Sequence, residues 1–138
     1  MDTLITANSL VKWFPLKLGW LKRQNVHVKA VNTVSFEILR NETLGLAGES
    51  GCGKTTVGRL LLRLLEPTSG SIYFEGRNIL DFGKEEMKEY RRNAQIIFQN
   101  VFASLNPRRS ILDILSEPIR MYHSPSGERI QAEVADLL

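Results

Sequence analysis

The sequence predicts an α/β fold, and three adjacent stretches predict it. Thr43-Leu44-Gly45-Leu46-Ala47 is a short apolar run of the kind that forms a buried strand. Gly48-Glu49-Ser50-Gly51-Cys52-Gly53-Lys54-Thr55-Thr56 follows, rich in glycine. Val57, Leu60, Leu61, Leu64 and Leu65 then recur at helical spacing and define one apolar face. Strand, glycine loop and helix in that order build a cradle for an anion. Glycine lets the backbone wrap closely around the ligand, and the N–H groups of the loop and of the new helix point at it. The loop has the pattern G-x-x-x-x-G-K-[ST], so the expected ligand is a nucleoside triphosphate with Mg²⁺. Lys54 would place its cation on the β- and γ-phosphates and Thr55 would offer its hydroxyl to the metal. A chance glycine-rich turn before an amphipathic helix is the alternative. The flanking strand and helix argue against it.

The other elements follow in chain order. Leu4 to Val11 is expected to be a strand, ended by Trp13-Phe14-Pro15. Residues 12–29 carry Lys12, Lys17, Lys22, Arg23 and Lys29 without an acid, interleaved with Trp13, Phe14 and Trp20. That stretch is either a surface for nucleic acid or lipid headgroups or a solvated loop with a nucleotide-facing aromatic, and the second reading is preferred. Val34, Phe36 and Ile38 alternate with Thr33, Ser35 and Glu37, the pattern of a half-buried antiparallel strand. Glu66-Pro67-Thr68-Ser69-Gly70 is a turn cluster that stops the helix. Ser71 to Phe74 is a strand, Glu75-Gly76 a turn and Arg77 to Leu80 its return. Asp81-Phe82-Gly83 starts a short helix from Lys84 to Arg91 with Met87 and Tyr90 turned inward. The same tripeptide occurs in kinases, but no kinase catalytic loop accompanies it. Ile96-Ile97-Phe98 is a compact buried strand with Gln99 at its end. Ser110-x-x-Asp113 has the spacing of a capping box and opens a helix with Ile111, Leu112, Ile114 and Leu115. Ser124-Pro125 suits the start of a last helix marked by Ile130, Val134 and Leu137.

Composition narrows the class. A chain of 138 residues, 43% hydrophobic and 24% charged, is long enough for one domain with a real core. A net charge of +3 is too small to argue for nucleic acid, so none is expected as a partner. A single cysteine excludes an internal disulfide and suits a reducing compartment. No apolar run approaches the roughly 18 residues of a membrane span, so a membrane role would run through a partner.

Gly48 to Thr56, the Glu66–Gly70 turn and Phe98-Gln99 are arranged as in ATP-binding cassette (ABC) transporter ATPases, which the sequence resembles over essentially its whole length. The segment from Phe98 to Arg108 is similar to that of the oligopeptide and dipeptide importer subgroup, with Asn100-Val101 where that subgroup usually has Asp-Pro. The resemblance implies a P-loop NTPase (RecA-like) core with an antiparallel β-subdomain, incomplete at the C-terminus. Residues 1–42 and 71–80 would form the β-subdomain, 43–66 the P-loop strand and helix, 94–99 the strand to the Q-loop, and 110–138 the start of the helical subdomain. ATP and Mg²⁺ are the implied cofactors, held by Gly48, Glu49, Ser50, Gly51, Cys52, Gly53, Lys54, Thr55 and Thr56. Phe14 falls at the position of the adenine-stacking aromatic, with Trp13 the competing choice and a packing role the alternative for both. Gln99 matches the Q-loop glutamine, which contacts Mg²⁺ or the attacking water, or is otherwise only a polar residue at a strand end. The implied partners are transmembrane permease subunits and a second ATP-binding subunit, identical or different, at the cytoplasmic face of the membrane. The 138 residues hold no Walker B carboxylates, no signature motif and no switch histidine; His27 and His123 lie elsewhere. The expectation is therefore the N-terminal part of an importer ATPase, truncated or incompletely recorded and inactive alone. A non-hydrolysing remnant that only binds nucleotide or a partner is the alternative.

Overall fold

The computed structural model describes residues 2–16, 26–100, 105–122 and 127–138. The expectations on Lys17, Trp20, Lys22, Arg23, Val101, His123, Ser124 and Pro125 lie outside them. The chain divides into two compact units, Met1–Ile96 and Ile97–Leu138.

The first unit is built on a four-stranded antiparallel sheet in the order β2-β1-β3-β4. Its strands are β1 (Thr3–Leu16), β2 (Val26–Leu39), β3 (Ser69–Phe74) and β4 (Arg77–Asn78). Val34, Phe36 and Ile38 are half-buried while Thr33, Ser35 and Glu37 are exposed, the expected period-two pattern. Trp13-Phe14-Pro15 does not end β1, contrary to expectation. The strand runs on, with Phe14 opposite Val28 and Pro15 opposite His27. Proline is tolerated because β3 last meets β1 at Val11, so this end of β1 has an open edge that needs no N–H donor.

The register of β1 on β2 shifts at four places, between Thr3/Ile5, Ala7/Leu10, Leu10/Lys12 and Lys12/Trp13. Ser9 and Thr33, beside two of them, adopt left-handed φ of 47° and 56°. The Ser9 N–H freed from the ladder donates instead to Ser35 Oγ at 2.8 Å. At the start of β1, Arg40 pairs with Asp2 at 2.6 Å and also with Glu75, tying the strand to the β3–β4 turn.

Helix α1 (Lys54–Leu61) and helix α2 (Lys84–Asn93) close over the sheet. Ala7, Leu10, Val31, Val57, Leu60, Ile72, Ile79, Met87 and Tyr90 form the core. Met87 and Tyr90 point inward as expected, and the Tyr90 hydroxyl donates to Leu61 O at 2.7 Å. The return strand is shorter than expected: after Asn78 the chain turns into a 3₁₀ helix, Ile79–Asp81, because Asn78 Oδ1 accepts from the Leu80 N–H.

Helix α1 also ends early, and Leu62 rather than Leu64 is buried; Leu64 is 46% exposed. The cause is Arg63, whose φ of 48° stops the helix. Arg63 N–H donates to Leu60 O and Leu64 N–H to Arg59 O, both at 2.9 Å, the two bonds of a Schellman cap. Glycine is the usual residue there. Arg63 compensates by spanning outward: its guanidinium donates to Glu66 Oε1 and to the carbonyls of Ile79 and Phe82 at 2.9–3.1 Å.

Two expected strands are absent. Residues 43–47 have no strand pairing, and Leu44 and Leu46 are 39% and 46% exposed. The expected strand over 94–99 is likewise irregular, with Ile97 91% exposed. An apolar run becomes an interior strand only when neighbours satisfy its backbone on both edges. Among the described residues neither run has such a neighbour.

The second unit contains α3 (Ile111–Tyr122) and α4 (Gly127–Leu137), which pack on each other. Ser110 caps α3: its Oγ accepts from Asp113 N–H at 3.1 Å and donates to Asp113 Oδ2 at 2.6 Å. That bond holds the Asp113 carboxyl below its usual range. Ile130 and Val134 are buried, but Leu137, expected with them, is 67% exposed. It lies in the last turn of α4, where Ala135 and Asp136 are exposed as well.

Candidate functional site

The glycine loop runs from the end of the irregular stretch 42–49 into the first turn of α1. Helix α1 starts with no side-chain cap at Gly53 and no acidic residue in its first turn. Its leading N–H groups are therefore left for a ligand, and the positive end of the helix dipole is not neutralised from within. Lys54 folds back over the loop. Its Nζ donates to Gly48 O at 2.7 Å and Glu49 O at 2.6 Å, and Cys52 Sγ lies at 3.4 Å. The ammonium thus sits over the loop's own backbone. Thr55 is exposed in the same first turn, and Thr56 is half-buried. Glu49, Ser50, Gly51 and Cys52 are exposed.

Gly53 sets the seat of the loop. Its φ is 101°, and a Cβ built there would fall under 3.0 Å from Ala30 O, closer than real Cβ atoms come. Ala30 is the extra residue of β2 where the register slips between the Lys12–Val31 and Trp13–Lys29 pairs. The bulge pushes a strand carbonyl against the loop, and only glycine admits it. Lys29, Ala30 and Val31 of β2 join Leu46, Gly53 and Lys54 in lining a cavity of about 320 Å³. No sequence signal singles out the β2 residues of that wall. They are found only through the register.

The remaining candidates are placed separately. Phe14 is 37% exposed on β1 with Lys12 Nζ 5.2 Å from its ring centre, and it does not line the cavity. Trp13 is half-buried, flanked by Lys29 Nζ at 4.9 Å and the His27 ring at 6.2 Å. Its buried indole N–H has no acceptor among the described residues. Gln99 belongs to the second unit and is exposed.

Comparison with known proteins gives these features a context. Residues 31–138 match the family model described as ABC transporter. The chain is 42% identical over 137 residues to the probable peptide ABC transporter ATP-binding protein of Sinorhizobium fredii, covering 99% of this chain and 39% of that protein. It is 41% identical over 138 residues to the oligopeptide transport ATP-binding protein of Bacillus subtilis, covering 99% and 42%. The glutathione import ATP-binding protein of Escherichia coli is 43% identical over 137 residues, of which the chain covers 22%. The chain thus spans about two fifths of the length of the first two relatives. Among solved structures, an ATP-binding cassette in a dimeric post-hydrolysis state with ADP and Pi superposes with a TM-score of 0.73 at 22% identity, over 96% of this chain and 55% of that one. A dimeric bacterial ABC transporter cassette gives 0.72 at 25%, over 94% and 53%.

Proposed function

The chain belongs to the ABC transporter family, and on that premise we propose that it is ATP-binding machinery of a peptide importer. The observation that carries the reading is Lys54 folded across the glycine loop at an uncapped, acid-free helix start. That is a preformed place for polyphosphate. The residues present fit ATP: the loop N–H groups and the first turn of α1 would hold the β- and γ-phosphates. Lys54 would exchange its two loop carbonyls for phosphate oxygens. Thr55, exposed beside it, would hold Mg²⁺. Mg²⁺ when bound neutralises charge on the phosphate oxygens. Phe14, the more exposed of the two neighbouring aromatics, would stack on the adenine.

Peptide cargo is supported by the names of the relatives, which are peptide, oligopeptide and dipeptide transport proteins. Permease subunits in the membrane and a second ATP-binding subunit are the partners such a motor needs, at the cytoplasmic face. No helix among the described residues is long and apolar enough to cross a membrane itself. The test is titration of a fluorescent ATP analogue with Mg²⁺. Lys54→Ala should bind about 10- to 150-fold more weakly, the loss of a hydrogen bond to a charged group. Equal affinities would remove the phosphate-binding assignment.

A further inference from the structure

Helix α1 has the glycine loop at its start and the turn Glu66-Pro67-Thr68 shortly beyond its end. That turn is bonded to β1 at three points, all within three residues of Phe14. Thr68 N–H donates to Val11 O at 2.7 Å, and Thr68 Oγ1 accepts from Trp13 N–H at 3.0 Å. Lys12 Nζ donates to Glu66 O at 2.6 Å. The same ammonium lies 5.2 Å from the centre of the Phe14 ring, two residues along β1. Glu66 is held in turn by Arg63 Nε at 2.9 Å, at the end of α1. These contacts sit where the sheet stops helping. The ladder of β3 on β1 ends at Val11 and Ser69. Past that pair, among the described residues, β1 keeps a strand partner on one edge only. The Thr68 hydroxyl supplies the acceptor that a longer β3 would have offered to Trp13.

We propose that Thr68 and Lys12 are positioning residues for the nucleotide base: they hold Phe14 at a set reach from the glycine loop, with α1 as the spacer. This deepens the ATP-binding reading and rests on it. The eight residues of α1 span about 12 Å, a length that a hydrogen-bonded helix keeps fixed. One end of it presents phosphate-binding amides, and the other is tied through Glu66 and Thr68 to the strand that carries the aromatic ring. A ring ordered before the base arrives need not be ordered by it, so binding does not lose that entropy. Lys12 covers one side of Phe14 by cation–π contact, and the ring is still 37% exposed, which leaves a face for the base.

The experiment compares ATP with inorganic tripolyphosphate, each with Mg²⁺, by calorimetric titration of the 138-residue chain. The readout is the preference for ATP, the ratio of the two affinities. A turn that merely supports the fold would weaken both ligands together, whereas a clamp on the base side weakens ATP alone. Thr68→Val keeps the shape and removes the acceptor. It should reduce the preference about two- to tenfold, and Thr68→Ser should restore it. Lys12→Met should reduce the preference similarly. Its lost charge acts on both ligands and cancels in the ratio, and it carries the test should Thr68→Val fail to fold. The proposal is overturned if both variants keep the wild-type preference, if they weaken both ligands equally, or if the wild-type chain binds the two ligands alike. A chain that binds neither ligand refutes the ATP-binding reading itself. One that prefers ATP and keeps that preference in both variants refutes only the clamp.

Discussion

Substituting Gly53 by alanine probes the contact that seats the glycine loop. Two costs arise, and the structure separates them. A φ of 101° penalises any Cβ by about 1–2 kcal/mol. The added methyl would also overlap the Ala30 carbonyl, with the oxygen under 3.0 Å and the carbon at 3.3 Å. Both are backbone atoms, so neither can swing aside as a side-chain tip would. Either the loop lifts from β2 or the bulge flattens, and the amides of the first turn of α1 move with the loop. Loss of one or two charge-assisted hydrogen bonds to phosphate, at about 1.5–3 kcal/mol each, weakens binding roughly 10- to 150-fold for the first alone. Gly51→Ala is the control. Its φ of 80° carries a similar backbone penalty, but nothing lies within 4 Å of the added Cβ. It should destabilise by about 1 kcal/mol and bind the ATP analogue far better than Gly53→Ala. Urea unfolding and analogue titration, run on both variants, read the two costs. If Gly53→Ala matches Gly51→Ala in both, the Ala30 bulge does not seat the loop and the reasoning fails.

Further outcomes follow from other residues. Phe14→Ala should lose about 1–3 kcal/mol of analogue affinity, by analogy with base stacking, and Trp13→Ala little; the reverse order would transfer the stacking role to Trp13. Burial pushes the Tyr90 hydroxyl up to about 12. Between the ordinary tyrosine range and that value the unfolded chain gives up its proton first, so folding stability should fall as pH rises through this window. Ultraviolet titration should show a late transition that Tyr90→Phe removes, and a titration curve that Tyr90→Phe leaves unchanged would contradict the burial. Arg63→Ala should cost about 1–3 kcal/mol in urea unfolding, with Arg63→Gly milder because it relieves the left-handed φ. An Arg63→Lys chain as stable as wild type would show that bridging Ile79 O and Phe82 O does not matter.

Local chemistry was legible where a residue's neighbours in sequence decide its state. The Glu75-Gly76 turn and the Ser110 cap depend on contacts within a few positions, and the inward Met87 and Tyr90 follow from their helical spacing among polar neighbours. The failures lie where distant partners decide. Leu44, Leu46 and Ile97 are apolar enough for interior strands, yet a strand is completed by what lies beside it. Pro15 was misread because its tolerance depends on where β3 stops, which no local pattern encodes. Arg63 at a helix end looks like an ordinary surface charge, and its capping role rests on carbonyls 16 and 19 residues away. The wall of the cavity beside the glycine loop was hidden for the same reason, since Ala30 acquires its position from a register slip.

That slip also marks a boundary within one pair of strands. Inboard of Lys12 the pairing is pinned by irregularities that a sliding strand could not reproduce one residue along. Outboard, from Trp13 to Leu16, it is plain and regular. The carbonyl on which Gly53 rests is therefore placed by the irregular inner pairing and not by the regular pairs beyond it. Such an arrangement works like a hinge post that keeps the catch beside it aligned.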